Sequence, residues 1–227
     1  MTSQTLLSLA TFTFDDSNSD IDLIDELFAS YGVPACYATI PDKLERRCTH
    51  GETVREVLLR AQERGCEILA HCGYPLISTD PPEEYTTVYS GGRHALEDCG
   101  FTVNGFITAG GRKDGLDYST QDFRRSITAA QEAGYCYADL TATGYADEYP
   151  AYYNRRQFLD LGAADTQRYI DRFLAGDLQK RSCWLNFASH GTNTNPLSVF
   201  AADIEYCLAH GFSIVTWATV FAKRSIF

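Results

Sequence analysis

Hydrophobic and polar positions alternate along the chain in blocks of two kinds. Leu6 to Phe14 is an apolar, Thr-rich run that reads as a buried strand, and it stops at the acid pair Asp15-Asp16. Ser19-Asp20 then offers a helix cap. Ile21, Ile24, Leu27, Phe28 and Tyr31 recur at helical spacing, and Gly32 ends the helix. Pro34 to Ile40 is a second strand, and Thr53 opens a second helix with Val54, Val57, Leu58 and Ala61 on one face. Cys66 to Ala70 is a third strand, ending at His71. A Pro-, Ser- and Thr-rich loop spans Pro75 to Pro82, and a helix over 90–99 follows. Thr102 to Thr108 is a fourth strand, ending in Ala109-Gly110-Gly111. Ser119 caps a long helix that Gly134 stops, and Tyr135 to Leu140 is a fifth strand. Residues 141–163 are irregular and rich in Tyr and Asp, and a helix is predicted over 165–175. A sixth strand spans Cys183 to Ala188, a helix Leu197 to Ala209, and a seventh strand Phe212 to Trp217.

Strand and helix alternate six times before the last strand. Such alternation predicts α/β architecture, with parallel strands joined by crossover helices. An open doubly wound sheet and a barrel of fewer than eight strands both fit. No repeat and no linker interrupts the pattern, so 1–227 is expected to form a single domain. No strand runs into a glycine-rich nucleotide-binding turn.

Composition narrows the function. With 30 acidic and 19 basic residues the net charge is -11, which argues against nucleic acid and an anionic membrane as partners. No apolar run approaches membrane-spanning length. The N-terminal segment lacks a basic region and feeds into Asp15-Asp16, so it reads as a strand and not as a signal peptide. A cytoplasmic location, or release by a route other than a cleaved leader, is expected. The eight Cys contain no C-x-x-C pair; Cys36, Cys66, Cys136, Cys183 and Cys207 read as small buried hydrophobes.

Ligands of parallel α/β folds bind at the carboxyl ends of the strands. Those ends carry Asp15 and Asp16, His71, Gly110-Gly111, His190 and Trp217. Two of only five His stand immediately after a strand. A lone Asp-Asp pair is most often a polar turn, and a lone loop His a solvated one. Two Asp and two His on one rim suit a divalent metal held by carboxylate and imidazole, with an acid or base to spare. Cys72 reads as a buried thiol rather than a ligand.

These segments resemble the polysaccharide deacetylase superfamily, which includes chitin and peptidoglycan deacetylases. Thr13-Phe14-Asp15-Asp16 resembles its T-F-D-D motif, and Gly32-Val33-Pro34-Ala35 its second strand. Glu67-Ile68-Leu69-Ala70-His71 resembles E-I-x-x-H, Phe106 to Gly111 a degenerate third motif, and Trp184 to Gly191 the L-x-x-x-H segment. The resemblance implies a distorted (β/α)7 barrel and a metal-dependent hydrolase that removes N-acetyl groups from an amino-sugar polymer or cell-surface glycan. It implies Asp15 as general base, His190 as general acid, and Asp16 and His71 as metal ligands, with zinc the expected ion. Tyr74, Trp217 and Gly110 are expected to contact the carbohydrate. Two departures stand out. The second His of the H-[ST]-x-x-H motif is replaced by Pro75, and the third motif lacks its Arg, with Arg112 just past it. A weakened metal site is therefore expected. A weak or inactive glycan-binding relative, and an allantoinase-like hydrolase of a small cyclic amide without metal, are the alternatives.

Overall fold

The computed structural model describes residues 8–73, 76, 79–109, 120–139, 171, 183–192 and 195–222. Among the described residues seven strands are found: β1 (Ser8–Phe14), β2 (Cys36–Thr39), β3 (Glu67–His71), β4 (Val103–Ile107), β5 (Tyr137–Asp139), β6 (Cys183–Ser189) and β7 (Ser213–Ile214). All pair in parallel, in the order β5-β4-β3-β2-β1-β6, with β7 attached to β1 off this path. The described helices are α1 (Ile21–Tyr31), α2 (Val54–Glu63), α3 (Pro82–Thr86), α4 (Gly92–Asp98), α5 (Thr120–Glu132), α6 (Leu197–Ala209) and α7 (Trp217–Ala222). A π-helical turn, Thr87–Gly91, joins α3 to α4. The stretches 141–163 and 165–175, apart from residue 171, lie outside the described residues.

Local signals act much as the sequence suggests. Thr53 and Glu56 form a reciprocal capping box on α2. Gly32 ends α1 in the left-handed conformation that glycine adopts without a Cβ clash. Asp20 stands at the N-cap of α1 without capping it; its carboxylate instead accepts a hydrogen bond from the Thr192 N–H, after β6.

β1 pairs with three strands. β6 pairs with its whole length, from Ser8↔Cys183 to Phe14↔Ser189. Its other partners divide it: β7 pairs with Leu9 and Ala10, and β2 with Thr13 and Phe14. One sheet face buries Phe12, Phe14, Tyr37, Ile68, Phe106 and Phe187 against helices that contribute Ile24, Phe28, Val57, Leu58, Phe200 and Ile204. The period-two alternation of the strands sends the other residues inward.

That inner face forms a second, smaller core of Cys36, Ala38, Leu69, Ile107, Tyr137 and Trp217. Tyr137 of β5 stacks on Phe221 of α7 at 4.6 Å between ring centroids, and Trp184 of β6 meets the same ring edge-on at 5.8 Å. The two ends of the strand order thus share one aromatic ring, so the sheet curls round α7 as a distorted barrel does. Gly105 is glycine for a steric reason, since a methyl there would collide with the Tyr137 ring. Thr11 and Thr13 point into the same interior. Each hydroxyl donates to Asn186 Oδ1, at 2.7 and 3.2 Å, and accepts an indole N–H, from Trp184 at 3.0 Å and from Trp217 at 3.1 Å.

The chain after Ile214 departs from the pattern expected of it. Phe212 to Trp217 reads as one strand in the sequence; the strand is only Ser213–Ile214, and Trp217 begins helix α7. Cys36, Cys66 and Cys207 are buried as expected, but Cys136 is exposed.

Glu67 also lies inside the barrel. Tyr137 Oη–H and the Ala218 N–H donate to its carboxyl oxygens, the latter at 2.9 Å. Burial raises its pKa, and these donors offset the rise only in part. The native state therefore takes up a proton more readily at Glu67 than the unfolded chain does. The stability gained that way is complete below the unfolded value of about 4.3 and is lost as pH rises through the raised native value. Glu67→Gln removes this titration. The stability gap between wild type and variant, followed by urea denaturation from pH 4 to 8, should shift in the variant's favour as pH rises, by at most about 1.4 kcal/mol per pH unit.

Candidate active site at the carboxyl rim

Where β1 ends, the backbone changes hand. Asp16 and Ser17 have φ of 74° and 46°. Non-glycine residues pay roughly 1 kcal/mol or more each for that region, though Asp tolerates it better than most. In a regular strand Asp15 and Asp16 would point to opposite faces. The left-handed turn frees Asp16 from that alternation and sets it beside the end of β3.

Asp16 Oδ1 lies 3.6 Å from His71 Nε2 and 3.5 Å from Lys43 Nζ. The neighbouring His71 ring, and then the Lys43 charge, hold the Asp16 carboxyl well below the usual carboxylate range, against the opposing effect of burial. His71 is buried, and its Nδ1 lies 2.7 Å from the Ile107 carbonyl oxygen. A carbonyl only accepts, so Nδ1 carries the proton. Nε2 then faces a carboxylate with either a second proton or a lone pair. A lone pair at this distance from a carboxylate suits a cation between the two: ligand atoms about 2.1 Å from a tetrahedral ion stand about 3.4 Å apart. The carbonyl behind His71 is the usual outer partner of a metal-binding imidazole.

Asp15 is buried, and its N–H continues the β1–β6 ladder by donating to the Ser189 carbonyl at 2.8 Å. His190 follows directly. Its charge, when present, is felt at Asp16, so the two belong to one electrostatic neighbourhood. The loop carrying it is fastened to the loop after β1. Asn18 Nδ2–H donates to the His190 carbonyl at 2.8 Å, and Asp20 accepts from Thr192. Gly191, at φ 86°, leaves the space that the Asp20 carboxylate fills.

The rim therefore brings together Asp15, Asp16, His71 and His190, with Lys43 as an unexpected fifth member. Tyr74, Pro75, Gly110 and Arg112 lie outside the described residues. Trp217 does not serve as expected. It has no exposed surface and spends its indole N–H on Thr13, so it is a core residue and offers no face to a sugar. Cys72 is buried and accepts from the Ala109 N–H at 3.1 Å. Among the described residues no group of three His, Cys, Asp or Glu gathers as a metal set, so Asp16 and His71 stand as a pair. An opening of about 440 Å³ lined by Asn104, Cys136, Tyr137, Ala218, Phe221 and Ala222 includes the amino-terminal ends of β4 and β5, and gathers no acid or imidazole.

Lys43 was missed because it looks like a loop cation. It ends a 3-10 turn, Pro41–Lys43, that follows β2 directly. The available signal was its place just past a strand end on the rim.

No family model and no curated protein matches the chain. Solved structures do. The chain is similar to the chitin deacetylase of the fungal pathogen Colletotrichum lindemuthianum, with a TM-score of 0.64 and 15% identity over 93% of this chain and 86% of that one. It is similar to a family 4 acetyl xylan esterase from Clostridium thermocellum in complex with a cobalt ion, with a TM-score of 0.60 and 13% identity over 96% and 93%. It is also similar to a mutant of a pseudoenzyme of that family with restored enzymatic activity, with a TM-score of 0.61 and 13% identity over 94% and 67%. The curled parallel sheet with its acid-and-histidine rim thus has the fold of the family 4 carbohydrate esterases, the polysaccharide deacetylase fold.

Proposed function

We propose that this protein is a hydrolase that removes acetyl groups from an acetylated carbohydrate, with an N-acetylated amino sugar as the preferred substrate. The observation that carries the proposal is the Asp16–His71 pair: a carboxylate oxygen and an imidazole nitrogen 3.6 Å apart, the imidazole fixed by the Ile107 carbonyl. Asp15 precedes Asp16 at the end of β1, His190 follows β6, the strand paired with β1, and the fold is shared with enzymes named for deacetylating chitin and xylan.

Asp16 and His71 would hold a divalent cation, zinc or cobalt, whose chemistry there is to polarise the acetyl carbonyl and acidify water. Asp15 takes a proton from the attacking water as its oxygen bonds to the carbonyl carbon. His190 gives a proton to the leaving nitrogen as the C–N bond breaks, since an amine anion leaves too poorly by itself. The products are acetate and a free amine.

The test is acetate release from chitin-type and peptidoglycan-type oligomers with and without added zinc or cobalt. Binding without release would sink the enzyme and favour an inactive glycan-binding relative. Pro75 at the expected ligand position speaks for that second reading. Metal content checks the pair directly. Asp16→Ala and His71→Ala should each abolish cobalt binding in calorimetry, because either change leaves one protein ligand; Cys72→Ser should leave it unchanged.

A further inference from the structure

Lys43 has no part in that mechanism, yet it shares Asp16 Oδ1 with His71. Its Nζ is 3.5 Å from that oxygen, and its side chain is 17% exposed, so most of the side chain is packed at the site. An ion in bonding reach of Oδ1 would stand within about 6 Å of Nζ. Even with the dielectric of bulk water between them, a divalent ion and an ammonium at that separation repel by about a factor of ten in affinity, and more in a drier site. Asp16 is the one described carboxylate within 4 Å of His71 Nε2, and the ion and the ammonium both call on it.

We infer that Lys43 is a resident counter-cation that competes with the divalent ion for Asp16, so that metal enters only as the ammonium swings out. The inference rests on the proposed metal pair and adds its control: the ion is taken up weakly and reversibly, and loading is coupled to the position of the Lys43 side chain. The hinge is short. Lys43 ends a single 3-10 turn, held by the Lys43 N–H to Ile40 carbonyl bond at 3.0 Å, so only its side chain need move.

The experiment is cobalt calorimetry on chelator-stripped full-length protein: wild type, Lys43→Gln and Lys43→Arg, each also with Asp16→Asn. Lys43→Gln should bind cobalt about tenfold more tightly than wild type, Lys43→Arg about as weakly as wild type, and Asp16→Asn should abolish binding in every background. Acylation of lysines followed by peptide mapping gives a second readout, in which cobalt should raise the reactivity of Lys43 in the wild type. Equal affinities for wild type and Lys43→Gln, or a Lys43→Arg protein as tight as Lys43→Gln, would overturn the inference while leaving the metal pair intact. No cobalt binding by any variant would overturn both. Unchanged Lys43 reactivity on loading would overturn the displacement.

Discussion

Asp15→Asn should lower the turnover of acetylated amino-sugar oligomers by about 10²–10⁴-fold, and His190→Ala by a similar factor, with binding of the oligomer nearly unchanged. The amide nitrogen that the first change introduces cannot accept the water proton, and the amide oxygen is a far weaker base than a carboxylate. The substitution is close to isosteric and leaves intact the backbone bond from residue 15 to Ser189. His190→Ala removes the proton donor, while the loop remains tied by Asn18 to the residue 190 carbonyl and by Asp20 to Thr192. The two losses should not multiply in the double variant, because the proton taken by Asp15 and the proton given by His190 belong to the same hydrolytic turnover. Steady-state assays of acetate release, with oligomer affinity measured separately, decide the matter. A wild-type rate kept by either variant would remove that residue from the chemistry.

The other large effect is on stability. Trp217→Ala should destabilise the fold by about 3–5 kcal/mol. Trp217 is fully buried where β2, β3, β4 and β5 converge, and it meets Trp184 edge-on at 5.5 Å between centroids. Removing it opens a void inside the curled sheet and strips Thr13 of its indole donor. Thr13 is two residues before Asp15, so the void lies under the strand that leads to the rim. Urea denaturation should report the loss as a lower midpoint at unchanged slope. Trp217→Phe should lose less, since it keeps the ring and forfeits only the N–H and part of the volume. A Trp217→Ala protein as stable as wild type would mean that the interior collapses freely onto α7.

Residue chemistry makes the acid–histidine rim legible in the sequence. Asp15, Asp16, His71 and His190 each follow an apolar run directly, and strand ends of a parallel sheet converge on one side. Sequence patterning could not resolve Phe212 to Trp217. Six largely apolar residues suit a strand end as well as a strand followed by a helix start, and only the packing of the indole against Thr13 and Tyr137 decides between them. Lys43 escaped notice for the opposite reason. It is a polar residue in a polar turn, and its meaning lies in the path that carries it to Asp16. The capping role expected of Asp20 was lost to a partner after β6, a contact across more than 170 residues that no local pattern encodes. Glu67 carried a motif resemblance without a role; inside the barrel it gathers donors from β5 and α7.

The way β1 shares its edges bears on how the chain comes to fold as it is made. β1 leaves the ribosome well before β6 and β7, its partners along one whole side and at Leu9 and Ala10 on the other, which are encoded about 170 to 200 residues later. Until they emerge, a Thr- and Phe-rich strand waits with open backbone groups, supported by β2 at Thr13 and Phe14 alone. Closing so long a loop is slow, and exposed strand edges are what chaperones shield. Assembly of the rim is consequently a late event. Asp15 and Ser189 meet only when β6 docks, so Asp15 and His190 reach the rim in the same step that adds β6 to the sheet.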